Sequence, residues 1–265
     1  MSDLANAAQI VDEAARTANA IPQFTGDQAL GLDDAYAVQA LSLARRYARG
    51  ERRVGFKMGL TSRAKMLQVG VDEVIWGRLT NAMRVEEGGE VAMESYVHPR
   101  AEPEIAFLLA EPLSGDISAV QAMAAVEAVA PAVEIIDSRY QNFKFSLGDV
   151  VADNSSSSGF IVGNWCAPES DISNLGMLLE ANGRVVQAGS SAAILGHPVR
   201  ALVAAARMVA KWGETLQAGD IVLAGAATAA WGLSVSSVSN FLSAFCTKRV
   251  SATSMGMESI GSAAF

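Results

Sequence analysis

The run HPRAEPEIAF, residues 98–107, decides how this chain is to be read. In a strand, residues two apart share a face, so Glu102 and Glu104 point one way while Ile105 and Phe107 point the other. A second run, PAVEIIDSRY at 131–140, is β-branched and carries Glu134 in the same fashion. Carboxylates inside apolar strands are costly to bury unless something neutralises them. A hard divalent cation with oxygen ligands does this well, and Mg²⁺ or Mn²⁺ suits a carboxylate-only set that leaves positions open for a substrate. The competing arrangement has these glutamates facing solvent or paired with Arg100, Arg139 or Lys144.

Around these strands the chain divides by character. The first fifty residues are helical: an alanine-rich stretch over 3–20, then GLDDAYAVQALSLARRYARG at 31–50. In the second, Asp33 and Asp34 favour the N-terminus, Arg45, Arg46 and Arg49 suit a solvated last turn, and Gly50 sits where a C-terminal cap belongs. From Val54 onward glycines separate short β-rich runs, and Asn182-Gly183 within LLEANGRVVQ predicts a hairpin. Two helical stretches interrupt them, one from Ile117 to Ala130 and one over 197–214, where Pro198 suits a first turn. Strands with interspersed helices and no βαβ alternation predict an α+β fold with a mostly β core. A closing strand belongs after the loop LAGAATAAW at 223–231, although the pattern from Trp231 onward is weak.

Bulk properties narrow the function. The chain has 265 residues, a net charge of −8 and 51% hydrophobic residues, with a mean hydropathy of +0.24. The acidic balance argues against a nucleic-acid partner, which needs a basic face. There is no cationic leader and no run of about 18 uninterrupted apolar residues, so a cytoplasmic protein with no membrane span is expected. Cys166 and Cys246 are far apart in apolar surroundings and read as free buried thiols. His98 and His197 lie in no zinc-ligand pattern, and neither a P-loop nor a GxGxxG motif is present.

Lys57, in GFKMGLTS, is glycine-flanked and apolar-flanked; near the glutamates it would offer positive charge to an anionic substrate or enolate, and at a strand edge its stem would snorkel. Thr61 or Ser62 caps an expected helix in TSRAK, whose N-terminus with Arg63 nearby suits a carboxylate. Asp153, Asn154 and Ser155–Ser158 form a turn dense in hydrogen-bonding groups, readable as a flexible loop or, from its place between two apolar strands, as a loop lining the site. Thr228 supplies the hydroxyl of the glycine-alanine loop, which lets backbone approach a ligand closely.

GFKMGLTSRAKM, HPRAEPEIAF, PAVEIIDSRYQNFKF, DVVADNSSSSGFIVG and ILGHPVRAL follow one another in order. Together they resemble the 2-oxopent-4-enoate hydratase and 4-oxalocrotonate decarboxylase group of the fumarylacetoacetase-like superfamily, over roughly residues 50–230. The resemblance implies a mixed β-sheet core of the fumarylacetoacetase-like C-terminal type with a helical N-terminal lobe, divided here as 1–75 and 76–265. It implies Mg²⁺ or Mn²⁺ on Glu102, Glu104 and Glu134, with Lys57 as the active-site lysine. The expected substrate-binding set is Leu60, Thr61, Ser62, Arg63, Arg139, Asp153, Ser156 and Thr228. TSRAKM, the His-Pro before the glutamate pair and SRYQNFKF are closer to the decarboxylase branch. The expected reaction is therefore decarboxylation of 2-oxo-3-hexenedioate to 2-hydroxypenta-2,4-dienoate in meta-cleavage degradation of aromatic compounds. The alternatives are hydration of that dienol, hydrolysis of a C–C bond of the acylpyruvate kind, and a non-catalytic role beside a companion enzyme. The resemblance also suggests association with the pathway hydratase and leaves room for a homo-oligomer.

Overall fold

The computed structural model describes residues 2–62, 66, 73–234 and 244–247. The alanine-rich start forms α1 (Ser2–Thr17) and the following run forms α2 (Leu32–Ala48). Ala7, Ala8 and Val11 of α1 and Ala35, Tyr36 and Val38 of α2 join the main core. The last-turn arginines differ from expectation, because they are not simply solvated. Arg45 and Arg49 reach Asp12 of α1 at 2.8 and 2.6 Å, and that carboxylate is only 1% exposed. Arg46 pairs with Glu51 at 2.9 Å. A buried acid on the neighbouring helix has claimed Arg45 and Arg49.

The sheet is mixed, in the order β2-β1-β8-β3-β4-β5. Its strands are β1 (Arg53–Gly59), β2 (Ile75–Thr80), β3 (Pro99–Leu109), β4 (Val126–Asp137), β5 (Ser157–Val162) and β8 (Ile221–Leu223). β1 and β8 run parallel; the other neighbours are antiparallel. The two ends of the sheet approach each other. Val85, just beyond β2, donates its N–H to the Phe160 carbonyl of β5 at 2.9 Å, and the turn before β5 bonds to Arg78 of β2. Register decides which side chains share the enclosed face: Lys57 pairs with Leu223, Ala106 with Leu223, Glu102 with Glu134, and Glu134 with Phe160. Leu79, Met83, Ala106, Ala132, Phe160, Ile221 and Leu223 form the apolar floor of that face. The opposite face, including Phe56, Met58, Ile105 and Phe107, packs in the main core with Leu202, Ala205 and Val209 of the helix Pro198–Lys211. His197 caps that helix, and Pro198 stands in its first turn as expected.

Asn182 and Gly183, with φ of 53° and 71°, turn the hairpin of β6 (Gly176–Ala181) and β7 (Arg184–Ser190). The helix expected over Ile117–Ala130 is shorter than its apolar pattern suggests. A capping box of Ser118 and Gln121 opens it, it ends at Ala124, and β4 begins at Val126. β3 pairs along its whole length, from Pro99 opposite Asp137 to Leu109 opposite Val126, and that ladder draws Val126–Ala130 out of the helix. After the glycine-alanine loop a two-residue strand, β9 (Trp231–Gly232), pairs with β3, and β10 (Ala244–Thr247) pairs with β6. The rest of the tail, 235–243 and 248–265, lies outside the described residues. Cys166 is exposed rather than buried; the side chain of Cys246 lies outside the description. Ser191–Lys211 is long and apolar enough to cross a membrane by composition, but 56% of the qualifying window is buried in the molecule.

Candidate active site

Glu102 and Glu134 sit directly opposite each other on β3 and β4, and Glu104 follows two residues along on the same face. Glu102 is 6% exposed; Glu104 and Glu134 are fully buried. One carboxylate oxygen from each lies within 4.8 Å of the others. Like charges opposite one another in a sheet repel, and here no bulk water screens them. Burial first, then the Glu134 charge, pushes the Glu104 pKa well above the ordinary carboxylate range. Burial also raises Glu134, against the pull of Lys57. Oε1 of Glu104 and Oε1 of Glu134 are buried with no hydrogen-bond partner among the described residues. A buried acceptor without a donor is costly. Convergent and oxygen-only, with an oxygen of Glu104 and one of Glu134 lacking a donor among the described residues, this set fits a divalent cation such as Mg²⁺ or Mn²⁺.

Lys57 comes from the middle of β1 and is 3% exposed, so it does not snorkel. Its Nζ lies 2.9 Å from Glu134 Oε2 and donates to the Ser155 carbonyl at 3.1 Å. Burial opposes its charge, but the nearby carboxylates of Glu134, Glu104 and Glu102 outweigh that and raise its pKa. Lysine 57, rather than Arg100, Arg139 or Lys144, is thus the cation that meets Glu134. Arg100 stacks over Phe143 at 3.9 Å, and Lys144 is exposed.

The serine run is not a loose loop. Asp153, Asn154, Ser155 and Ser156 are all buried. Arg139 is committed to this turn: its Nε donates to Asp153 Oδ1 at 2.6 Å and its backbone N–H to Oδ2 at 3.0 Å. Burial raises the Asp153 pKa to about 6, with Arg139 pulling against it. Ser156 lies within the same turn.

The segment after β1 and the glycine-alanine loop meet beside Glu104. The Gly225 N–H donates to Glu104 Oε2 at 2.7 Å. Gly225 has φ +100°, and a Cβ there would meet Thr61 Oγ1 at 2.0 Å, so no other residue fits. Thr61 is buried, and its carbonyl accepts from Leu195 N at 2.8 Å. Leu60, with φ 55°, is half-buried before it. The Ser62 carbonyl accepts from Met66 N at 2.9 Å; Arg63 and Lys65 lie outside the described residues. Thr228 is half-buried, and its hydroxyl donates to the Ala229 carbonyl at 2.9 Å. Ala224 and Ala227 bond to the carbonyls of Ile105 and Pro103, which lays this loop along the glutamate pair. Two members of the site were missed from sequence: the Gly225 N–H and the Ser155 carbonyl. The loop composition signalled a close backbone approach for the first; the hydrogen-bond-dense run 153–158 marked the segment of the second without singling out its carbonyl.

Residues 55–261 match the family described as fumarylacetoacetate (FAA) hydrolase C-terminal, and the chain belongs to that family. A 4-oxalocrotonate decarboxylase of Pseudomonas sp. is 61% identical over 226 residues, covering 85% of this chain and 88% of its own. The structure of 4-oxalocrotonate decarboxylase from Pseudomonas putida G7, complexed with magnesium and adipate, superposes with a TM-score of 0.85 at 40% identity, covering 88% of this chain and 90% of that one. A 2-keto-4-pentenoate hydratase of Paraburkholderia xenovorans is 38% identical, covering 74% of each chain.

Proposed function

We propose that this chain is a carbon–carbon lyase that decarboxylates 2-oxo-3-hexenedioate, also called 4-oxalocrotonate, to 2-hydroxypenta-2,4-dienoate. The observation that carries the proposal is the buried triad Glu102, Glu104 and Glu134 with Lys57 against it. The choice of substrate is supported by the 61% identical decarboxylase. Mg²⁺ or Mn²⁺ held by the three glutamates would supply Lewis acidity toward the substrate's 2-oxo oxygen.

The chain's own groups then account for the reaction. The substrate is a vinylogous β-keto acid. As the C5–C6 bond breaks and CO₂ leaves, the electron pair passes through a new C4–C5 double bond and a new C2–C3 double bond to the oxygen on C2. The Lys57 ammonium lies beside the carboxylates where that oxygen would sit, and it gives the proton that makes the enol. Thr61, Ser62, Arg63, Leu60, Ser156 and Thr228 are proposed as the substrate-contacting set. Arg139 and Asp153, bound to each other, are proposed to contribute by holding the turn that carries Ser156. In the proposed division of the chain into 1–75 and 76–265, the first part lends β1 and its lysine to the catalytic sheet.

The product is the compound in the name of a 38% identical relative, the 2-hydroxypent-2,4-dienoate hydratase of Pseudomonas putida. We therefore infer association with such a hydratase, homo-oligomer formation and a cytoplasmic location. The test offers purified protein with Mg²⁺ the dicarboxylate and, separately, the dienol monocarboxylate. The proposal expects CO₂ from the first and no consumption of the second. Consumption of the dienol without CO₂ release from the dicarboxylate would move the assignment to hydration.

A further inference from the structure

Lysine has a long, freely rotating stem, so its ammonium needs acceptors to hold it in one direction. Among the described residues Lys57 has two such contacts, Glu134 Oε2 at 2.9 Å and the Ser155 carbonyl at 3.1 Å. The second depends on an unusual turn. Asn154, Ser155 and Ser156 have φ of 50°, 51° and 60°, a left-handed conformation that L-residues adopt at a cost. The turn lies hard against Gly77, the cross-strand neighbour of Lys57, where a Cβ would meet Asn154 O at 2.4 Å.

Arg139 holds the turn at Asp153, and the Asn154 side chain fastens it to β2. β2 is the outer strand of the sheet order. The Asn154 amide takes both backbone groups of Arg78 on β2: Arg78 N–H donates to Oδ1 at 2.8 Å, and Nδ2 donates to the Arg78 carbonyl at 2.9 Å. Ser155 Oγ adds a bond to the Trp76 carbonyl at 2.7 Å. We propose that Asn154 is a positioning residue for Lys57: by fastening the turn to β2 it fixes the Ser155 carbonyl and so keeps the ammonium aimed at the substrate. Without that carbonyl the ammonium loses an acceptor and its direction is no longer fixed. This rests on the reading of Lys57 as the proton donor.

The test uses the full chain with Mg²⁺. Asn154→Gly removes the amide clamp, and glycine adopts the left-handed conformation freely. The expected result is a fall in kcat of about 10–100-fold, the scale of a misplaced catalytic group, with KM and Mn²⁺ affinity (by electron paramagnetic resonance) unchanged. Asn154→Asp keeps size and the acceptor but loses the donor, and its kcat should fall between the two; it also decides the matter should the glycine variant not fold. Wild-type kcat in both variants, a loss that only tracks the folded fraction, or a raised KM at constant kcat would overturn the proposal. Lys57→Met runs alongside: wild-type kcat there would sink the reading of Lys57 itself.

Discussion

Glu104 is held in a state that suits a ligand better than it suits the free protein. It is fully buried, beside two other carboxylates, with one oxygen satisfied by Gly225 N–H and the other by nothing among the described residues. Glu104→Gln keeps the volume and removes the charge, so the metal-free protein should become more stable by about 1–3 kcal/mol, as when buried charge is replaced. Mn²⁺ affinity should fall at least tenfold in the same variant; a melt and a titration check both. Lys57→Met does the opposite to the metal-free protein, because Glu134 loses its only ion-pair partner among the described residues. Its melting temperature should drop, and its turnover should fall by about 10²–10⁴-fold, the range for a lost general acid. These residues were legible because charge inside an apolar period-two pattern is conspicuous. The Ser155 carbonyl and the Gly225 N–H were not, since any residue type supplies a backbone group and only the fold decides where it points.

Elements place these residues through a few specific contacts. Asp12 ties α1 to α2 by way of Arg45 and Arg49. The two arginines outweigh the effect of burial and hold its pKa below the ordinary carboxylate value. A depressed acid pKa contributes stability that is present above the unfolded value near 3.8 and is lost as pH falls through the folded one. Asp12→Asn should therefore cost about 1 kcal/mol at pH 7, discounted because both arginines are partly exposed, and the difference from wild type should shrink as pH falls below 3.8 and through the lower folded value in chemical denaturation. In the loop after β8, Gly225→Ala forces a Cβ into Thr61 at a left-handed φ. A loss of at least ~2 kcal/mol is expected there, together with weaker metal binding, since the displaced N–H serves Glu104. Periodicity found α1, α2, the Pro198 helix and the Asn-Gly hairpin. It failed at Val126–Ala130, where alanines and valines fit either a helix or a strand and long-range pairing with β3 made the choice. The same limit applies to the last turn of α2, because the partner of its arginines is 33 and 37 residues away.

For the whole molecule, the curled sheet gathers residues from β1, β3, β4, the turn before β5 and the loop after β8 onto one enclosed face. A divalent cation bound there would bridge strands that charge repulsion otherwise pushes apart. Saturation at about 100 times Kd should add ~2.7 kcal/mol to the unfolding free energy, visible as a rise of several degrees in melting temperature with Mg²⁺ that is about halved or smaller in Glu104→Gln. The mixed-sheet class was legible from the order of glycine-punctuated runs and the family resemblance; the closure of the sheet was not, because Val85–Phe160 and Asn154–Arg78 join positions over 70 residues apart. The most direct test of the account is CO₂ release from 2-oxo-3-hexenedioate by wild type and Glu104→Gln, each with Mg²⁺ and with chelator. The account predicts release by wild type with Mg²⁺ alone, and none from the folded Glu104→Gln protein under either condition. Release by Glu104→Gln, or release by wild type in chelator at the same rate, would contradict it.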